Sequence, residues 1–274
     1  LHLVAERKVR RTRRKSIAGQ GVLMLLGLQV FFFTSFVAIN LPTGTGHNLL
    51  NAAHFETQQL VGMLPVKYQE RVQEKFPRIF EPVGKIRYDL YSPQAPVAIF
   101  LGYVLGYPMA TVASALFLLL GVIGPLFGFY LFASGGGLGY YAQPGFGYLL
   151  GMVAATWVVG LLTRNARSSL SQIGGLAAGL LTLHLVGLAY LLGSSLIFGL
   201  ADGMLPRPDW LPWVFEQARN LSWYPLPYDA IFGLLLIGAS FPLRYLVGVL
   251  TAPDIALRSN AERYQRQTVE ELLH

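Results

Sequence analysis

The sequence contains no cysteine. That absence excludes a disulfide framework, a thiolate metal site, an iron–sulfur ligand set and a cysteine nucleophile. Charge is also scarce: Asp, Glu, Lys and Arg make up 13% of the residues, where soluble domains carry roughly a quarter. Between Asp89 and Arg164 there is no charged residue at all, a run long enough for several crossings of about 20 residues each. The spacings that carry chemistry are missing too. There is no HExxH, no GxSxG, no GxxxxGK[ST] phosphate loop and no pair of carboxylates within an apolar tract, which argues against an enzyme and against ATP hydrolysis by this chain. Gly135-Gly136-Gly137-Leu138-Gly139 has glycines, but not the strand, helix or lysine of a nucleotide site.

What is present is apolar: 53% of the residues are hydrophobic and the mean hydropathy is +0.47. The expected fold class is an all-α integral membrane protein, a compact bundle of six transmembrane helices. Apolar length and charge placement put the spans near 17–39, 94–107, 109–131, 147–163, 169–198 and 230–250. The second and third are divided at Gly106-Tyr107-Pro108, where proline removes a backbone donor and glycine permits a turn. The pairs Gly102/Gly106, Gly124/Gly128, Gly147/Gly151 and Gly175/Gly179 have small-xxx-small spacing, which lets helix backbones approach closely.

Seven of the 21 basic residues fall between Arg7 and Lys15. No aromatics are interleaved with them, as a base-stacking surface requires, so nucleic acid is not the expected partner. A basic block before a first span reads instead as a cytoplasmic anchor beside lipid headgroups. With the N-terminus inside, 13 basic residues collect on the inner side and eight on the outer, so both termini are expected in the cytoplasm. The domains are then a basic tail (1–16), a membrane domain (17–250) with an outer insertion (41–92) and an outer loop (201–228), and a cytoplasmic C-terminal tail (251–274). Within the insertion, Pro65 to Phe76 reads as a short surface helix. The outer loop holds Trp210, Trp213 and Trp223 among prolines and reads as an interfacial or re-entrant lid.

Polar groups within the apolar tracts are few, and such groups tend to be functional. His184 lies inside the fifth span, where a lone imidazole can also be satisfied by one carbonyl. Asp229 opens the sixth span, where a carboxylate serves a ligand or caps a helix. Arg244, deeper in that span, is expected to snorkel toward the inner surface. Nothing in the sequence places His184 and Asp229 together, as an intramembrane enzyme would need.

The tract from Phe132 to Gly151, Phe-Ala-Ser-Gly-Gly-Gly-Leu-Gly-Tyr-Tyr-Ala-Gln-Pro-Gly-Phe-Gly-Tyr-Leu-Leu-Gly, resembles the signature of the BioY family, the biotin-binding S components of energy-coupling-factor (ECF) vitamin transporters. His184-Leu185-Val186-Gly187-Leu188-Ala189-Tyr190-Leu191 is similar to a pattern of the cyanobacterial branch. The resemblance spans roughly residues 92–250. It implies six helices and a biotin pocket near the outer face, roofed by loops. Gly135, Gly136, Gly137, Pro144, Gly147 and Tyr148 match the signature, and Asp229 matches the acid at the start of the family's last helix. With His184, these are the ligand-binding candidates; no metal site and no cofactor are expected, biotin being the cargo. A carboxylate accepting the two ureido N–H groups of biotin is sensible chemistry, since buried donors need partners.

The departures are specific. Phe232 stands where the family has lysine, Gly145 where it has threonine or serine, and Ala18 is followed by Val22 rather than by the second alanine of a docking face. The leading expectation is a substrate-capture subunit for biotin uptake that does no chemistry on its ligand and works with an ECF transmembrane coupling subunit and ATPases. The alternative is a BioY-derived accessory subunit of a larger membrane complex, photosynthetic ones included, without transport. The setting is multi-pass, in a bacterial plasma membrane or a thylakoid membrane.

Overall fold

The protein is described by a computed structural model covering residues 17–44, 46–132, 135–164, 169–201 and 210–251. The two terminal tails and residues 202–209 of the expected outer loop lie outside the described residues. Among the described residues three helices are long and apolar enough to cross a membrane, within Ile17–Ser35, Tyr107–Phe127 and Leu170–Ile197; a bent pair from Trp210 to Leu250 can count as a fourth, and two shorter apolar helices join them.

Helix α1 (Ile17–Ser35) is followed by strand β1 (Ile39–Pro42), helices α2 (Gly46–Gly62) and α3 (Val66–Lys75), and strand β2 (Tyr88–Tyr91). The expected surface helix is α3, but α2 and the strands were not expected. β1 and β2 pair antiparallel, with Ile39 opposite Tyr91 and Pro42 opposite Tyr88, so the insertion is pinched shut at its base. The fold is therefore mostly helical rather than purely so.

The body comprises α4 (Gln94–Leu105), α5 (Tyr107–Ile123), α6 (Phe146–Leu162), α7 (Ser169–Ala201), α8 (Trp210–Ala218), α9 (Leu226–Ala239) and α10 (Phe241–Leu250). The turn between α4 and α5 falls at the expected place, with Gly106 at a φ of +84°, a conformation that costs glycine little. At 12 residues, α4 rises only about 18 Å, at 1.5 Å per residue. The tract expected to form a sixth span is not one helix: it breaks at Ser240 with a bend of 60°. Pro242 in the first turn of α10 supplies no backbone donor, and the Ser240 hydroxyl donates to the Ile237 carbonyl. The three tryptophans lie not in a loop but in α8 and in a π-helical turn, Arg219–Trp223, that runs on toward α9.

α6 sits at the centre, packed on α4, α5 and α7. The glycine spacing explains how closely. A Cβ on Gly102 would lie 2.9 Å from the Thr156 carbonyl oxygen, and one on Gly151 would lie 2.5 Å from that of Leu183. Across α5 and α6 the buried hydroxyls of Ser114 and Thr156 lie 3.1 Å apart, a polar contact typical of helices that meet in lipid. Phe31 of α1 stacks on Phe117 of α5 with centroids 5.5 Å apart. Large apolar side chains such as Leu25, Phe33, Leu119, Leu181 and Leu235 point outward, as on a body solvated by hydrocarbon rather than water. Gln20 near the start of α1 and Thr251 after α10 line one cavity, so both ends of the described chain lie at the same end of the bundle.

Candidate ligand-binding site

At the opposite end, the starts of α4, α6 and α9 surround a cavity of about 300 Å³. Asp229 forms part of its wall and is 2% exposed. The carboxylate is not a helix cap. Its Oδ1 accepts a hydrogen bond of 2.6 Å from the Tyr91 hydroxyl, and Oδ2 lies 3.5 Å from Nε2 of His184. The His184 ring continues the chain of contacts: Nδ1 lies 3.1 Å from the Ser222 hydroxyl, which shares a 2.7 Å hydrogen bond with the hydroxyl of Tyr148. Five side chains from β2, α6, α7, the π-helical turn and α9 thus form one polar network. His184 and Asp229, which nothing in the sequence brings together, are neighbours, and His184 is not satisfied by a carbonyl.

Local chemistry fixes this arrangement. Phe232 lies nearly one turn after Asp229 and stacks on the Tyr91 ring, with centroids 5.6 Å apart and planes at 15°. Tyr228 packs against the same ring at 5.7 Å, and its hydroxyl donates to the Pro42 carbonyl of β1. The β1–β2 pair therefore delivers Tyr91 to Asp229, and two aromatic rings hold it there. Burial, reinforced by the neighbouring carboxylate, pushes the Tyr91 phenol far above its ordinary value, so it remains an O–H donor. At the rim, Thr43 donates to Asp89, which also pairs with Arg87 at 3.3 Å. The guanidinium groups of Arg87 and Arg219 lie 5.7 and 5.6 Å from the centroid of the Tyr224 ring.

Two buried polar atoms on the wall have no hydrogen-bond partner among the described residues: Nε2 of His184, whose 3.5 Å approach to Asp229 is too long for one, and Oδ1 of Asn220. Such atoms are costly unless a ligand pairs with them. The rest of the wall includes the rings of Tyr140, Tyr148, Tyr224 and Tyr228 and aliphatic side chains such as Leu149, Met152 and Leu183. The site can hold a small, partly apolar molecule by a polar group rich in N–H donors. Among the described residues no cluster of three or more His, Cys, Asp or Glu could hold a metal ion.

Of the sequence candidates, Asp229, Tyr148 and His184 come together on the wall. The glycines do other work. Gly135, Gly136 and Gly137 all have positive φ, and a Cβ on Gly136 would lie 2.3 Å from the Gly121 carbonyl oxygen, so this loop is clamped against α5. Gly147 packs on Tyr190, and Pro144 is not among the wall residues, whereas its neighbour Gly145 is. Tyr91, Ser222, Asn220 and Tyr224 were missed.

Comparison with known proteins bears on the same region. The BioY family model matches residues 91–208. That similarity takes in Tyr91, Tyr148 and His184, covers less than half of the chain and stops before Asp229. No curated protein matches the chain. A crystal structure of the S-component for biotin from an ECF-type ABC transporter aligns with a TM-score of 0.47 at 16% identity, over 84% of this chain and 90% of that one.

Proposed function

We propose that the chain is the substrate-capture subunit of a biotin uptake transporter of the BioY type. The observation that carries this reading is the buried Asp229 carboxylate, on a cavity wall that also holds unpartnered atoms of His184 and Asn220. A carboxylate offers about four acceptor positions, and Tyr91 occupies one, which leaves room for the two N–H groups of a ureido ring. The Asn220 amide can serve the ureido carbonyl, and the tyrosines suit the apolar bicycle and chain. The BioY match supports the assignment to this family; the cyanobacterial branch is part of the proposal. The membrane body is read as six crossings with both termini in the cytoplasm: three long helices, two short ones and the bent α9–α10 pair. No bond of the ligand is made or broken. Uphill transport then needs an ECF coupling subunit and ATPases, because a binder at equilibrium cannot concentrate its ligand. Calorimetric titration of the purified protein with biotin tests this: saturable binding lost in Asp229→Ala supports it, and no binding by the unaltered protein overturns it.

One observation favours a further association. The outer insertion exposes Leu50, Leu60, Met63, Val66 and Leu90, each at least 64% accessible, outside the apolar body. This fits an accessory role in a larger membrane complex, in a plasma or thylakoid membrane. Copurification of a stable partner lost on replacing Leu60 and Met63 with serine would favour that reading.

A further inference from the structure

The end of the bundle away from Asp229 holds a second cavity, of about 520 Å³. Its chemistry is the reverse of the first: among the described residues Arg244 and Arg164 line it, and no Asp or Glu does. Arg244 is anchored in this wall. One guanidinium nitrogen, Nη2, donates to the Thr163 carbonyl at 2.6 Å, and the group lies 4.5 Å from the Tyr103 ring centroid. The Tyr103 hydroxyl in turn accepts from Gln172 at 2.7 Å. The guanidinium is thus held from two sides, while its Nη1 is buried without a hydrogen-bond partner. Among the described residues neither arginine has a carboxylate within ion-pair distance. Tyr107 and Pro108, at the start of α5, also face this cavity, where the positive end of the helix dipole favours an anion. A fixed guanidinium fork with a free N–H edge matches phosphate oxygens.

We propose that this cavity is a phosphate-binding site, built on Arg244 and completed by Arg164, at the end of the bundle where the chain enters and leaves the membrane. The shared chemistry is a phosphate group, carried either by an anionic phospholipid or by inorganic phosphate.

The test is the thermal unfolding midpoint of the full chain in detergent, titrated separately with phosphatidylglycerol, with phosphatidylcholine, and with inorganic phosphate against chloride at equal ionic strength. Phosphatidylglycerol raising the midpoint more than phosphatidylcholine identifies a lipid headgroup; phosphate acting beyond chloride identifies the free anion. In either case Arg244→Gln raises the half-saturating concentration about tenfold or more, the loss of a charge-assisted hydrogen bond. Arg164→Gln, at an exposed position, removes no packing and weakens binding in the same direction, which guards against misfolding of the first variant. The proposal is overturned if neither anion acts beyond its control, or if both variants respond as the unaltered protein does.

Discussion

Replacing Tyr91 with phenylalanine removes one oxygen atom from the centre of the polar network. The ring stacked on Phe232 and packed on Tyr228 is kept, so the change is confined to the 2.6 Å hydrogen bond that Oδ1 of Asp229 accepts. A hydrogen bond to a charged group contributes about 1.5–3 kcal/mol, and the buried acceptor loses its donor. The expected loss of stability is therefore about 2–3 kcal/mol, read by denaturant or thermal unfolding in detergent at neutral pH. The alkaline limb gives a second readout. The Tyr91 phenol is raised above its ordinary value of 10.0, so its contribution is fully present below about pH 10. It is lost at higher pH, as the phenol of the unfolded chain ionises while the folded one stays protonated. The unaltered protein should lose stability above pH 10 more steeply than Tyr91→Phe, the difference between the two isolating this group from the other tyrosines. Equal stability at neutral pH together with parallel alkaline limbs would refute the assignment of Tyr91 as the donor to Asp229.

Gly151→Ala places a methyl group 2.5 Å from the Leu183 carbonyl oxygen and forces α6 and α7 apart. A loss of about 1–3 kcal/mol is expected in the same unfolding assay, and an unchanged midpoint would mean that these helices are not in close contact. Ser222→Ala breaks the link between Tyr148 and His184; it should weaken biotin binding several-fold in calorimetry while leaving the folded state intact, and unchanged affinity would remove Ser222 from the site. Gly136→Ala combines a φ of +87° with a contact of 2.3 Å to Gly121. It should lower expression and unfolding temperature without altering the affinity of the protein that does fold, whereas a selective loss of affinity would place the glycine loop in the site.

The sequence read well where a long apolar run or a strong turn signal set the structure. Gly106-Tyr107-Pro108 divides two helices where it was expected to, and Pro65 precedes the short surface helix α3. It read poorly where tertiary contacts decide. Ile39–Pro42 carries a strand only because Tyr88–Tyr91 pairs with it across the insertion, and that partner is nearly 50 positions away. The break at Ser240 had a local cause in Pro242, and apolar length concealed it. For the site, Asp229, His184 and Tyr148 were singled out because ionisable groups and matched motif positions stand out in an apolar background. Tyr91 and Ser222 belong to common residue types near span ends, so no local pattern distinguishes them. The one available signal was that Tyr91 lies directly before a span, at the same end as Asp229. The signature glycines pack the loop on α5 and α6 on α7, a close approach that similarity to a motif does not distinguish from lining a cavity.

The central claim is that the Asp229 carboxylate takes the N–H donors of a ureido ring. The most direct test compares biotin with a derivative methylated on a ureido nitrogen, titrated into the unaltered protein and into Asp229→Asn. The account predicts that methylation weakens binding to the unaltered protein by about tenfold or more, and that this penalty shrinks in the variant, so that the two changes are coupled. Binding of both compounds with equal affinity to both proteins would contradict it.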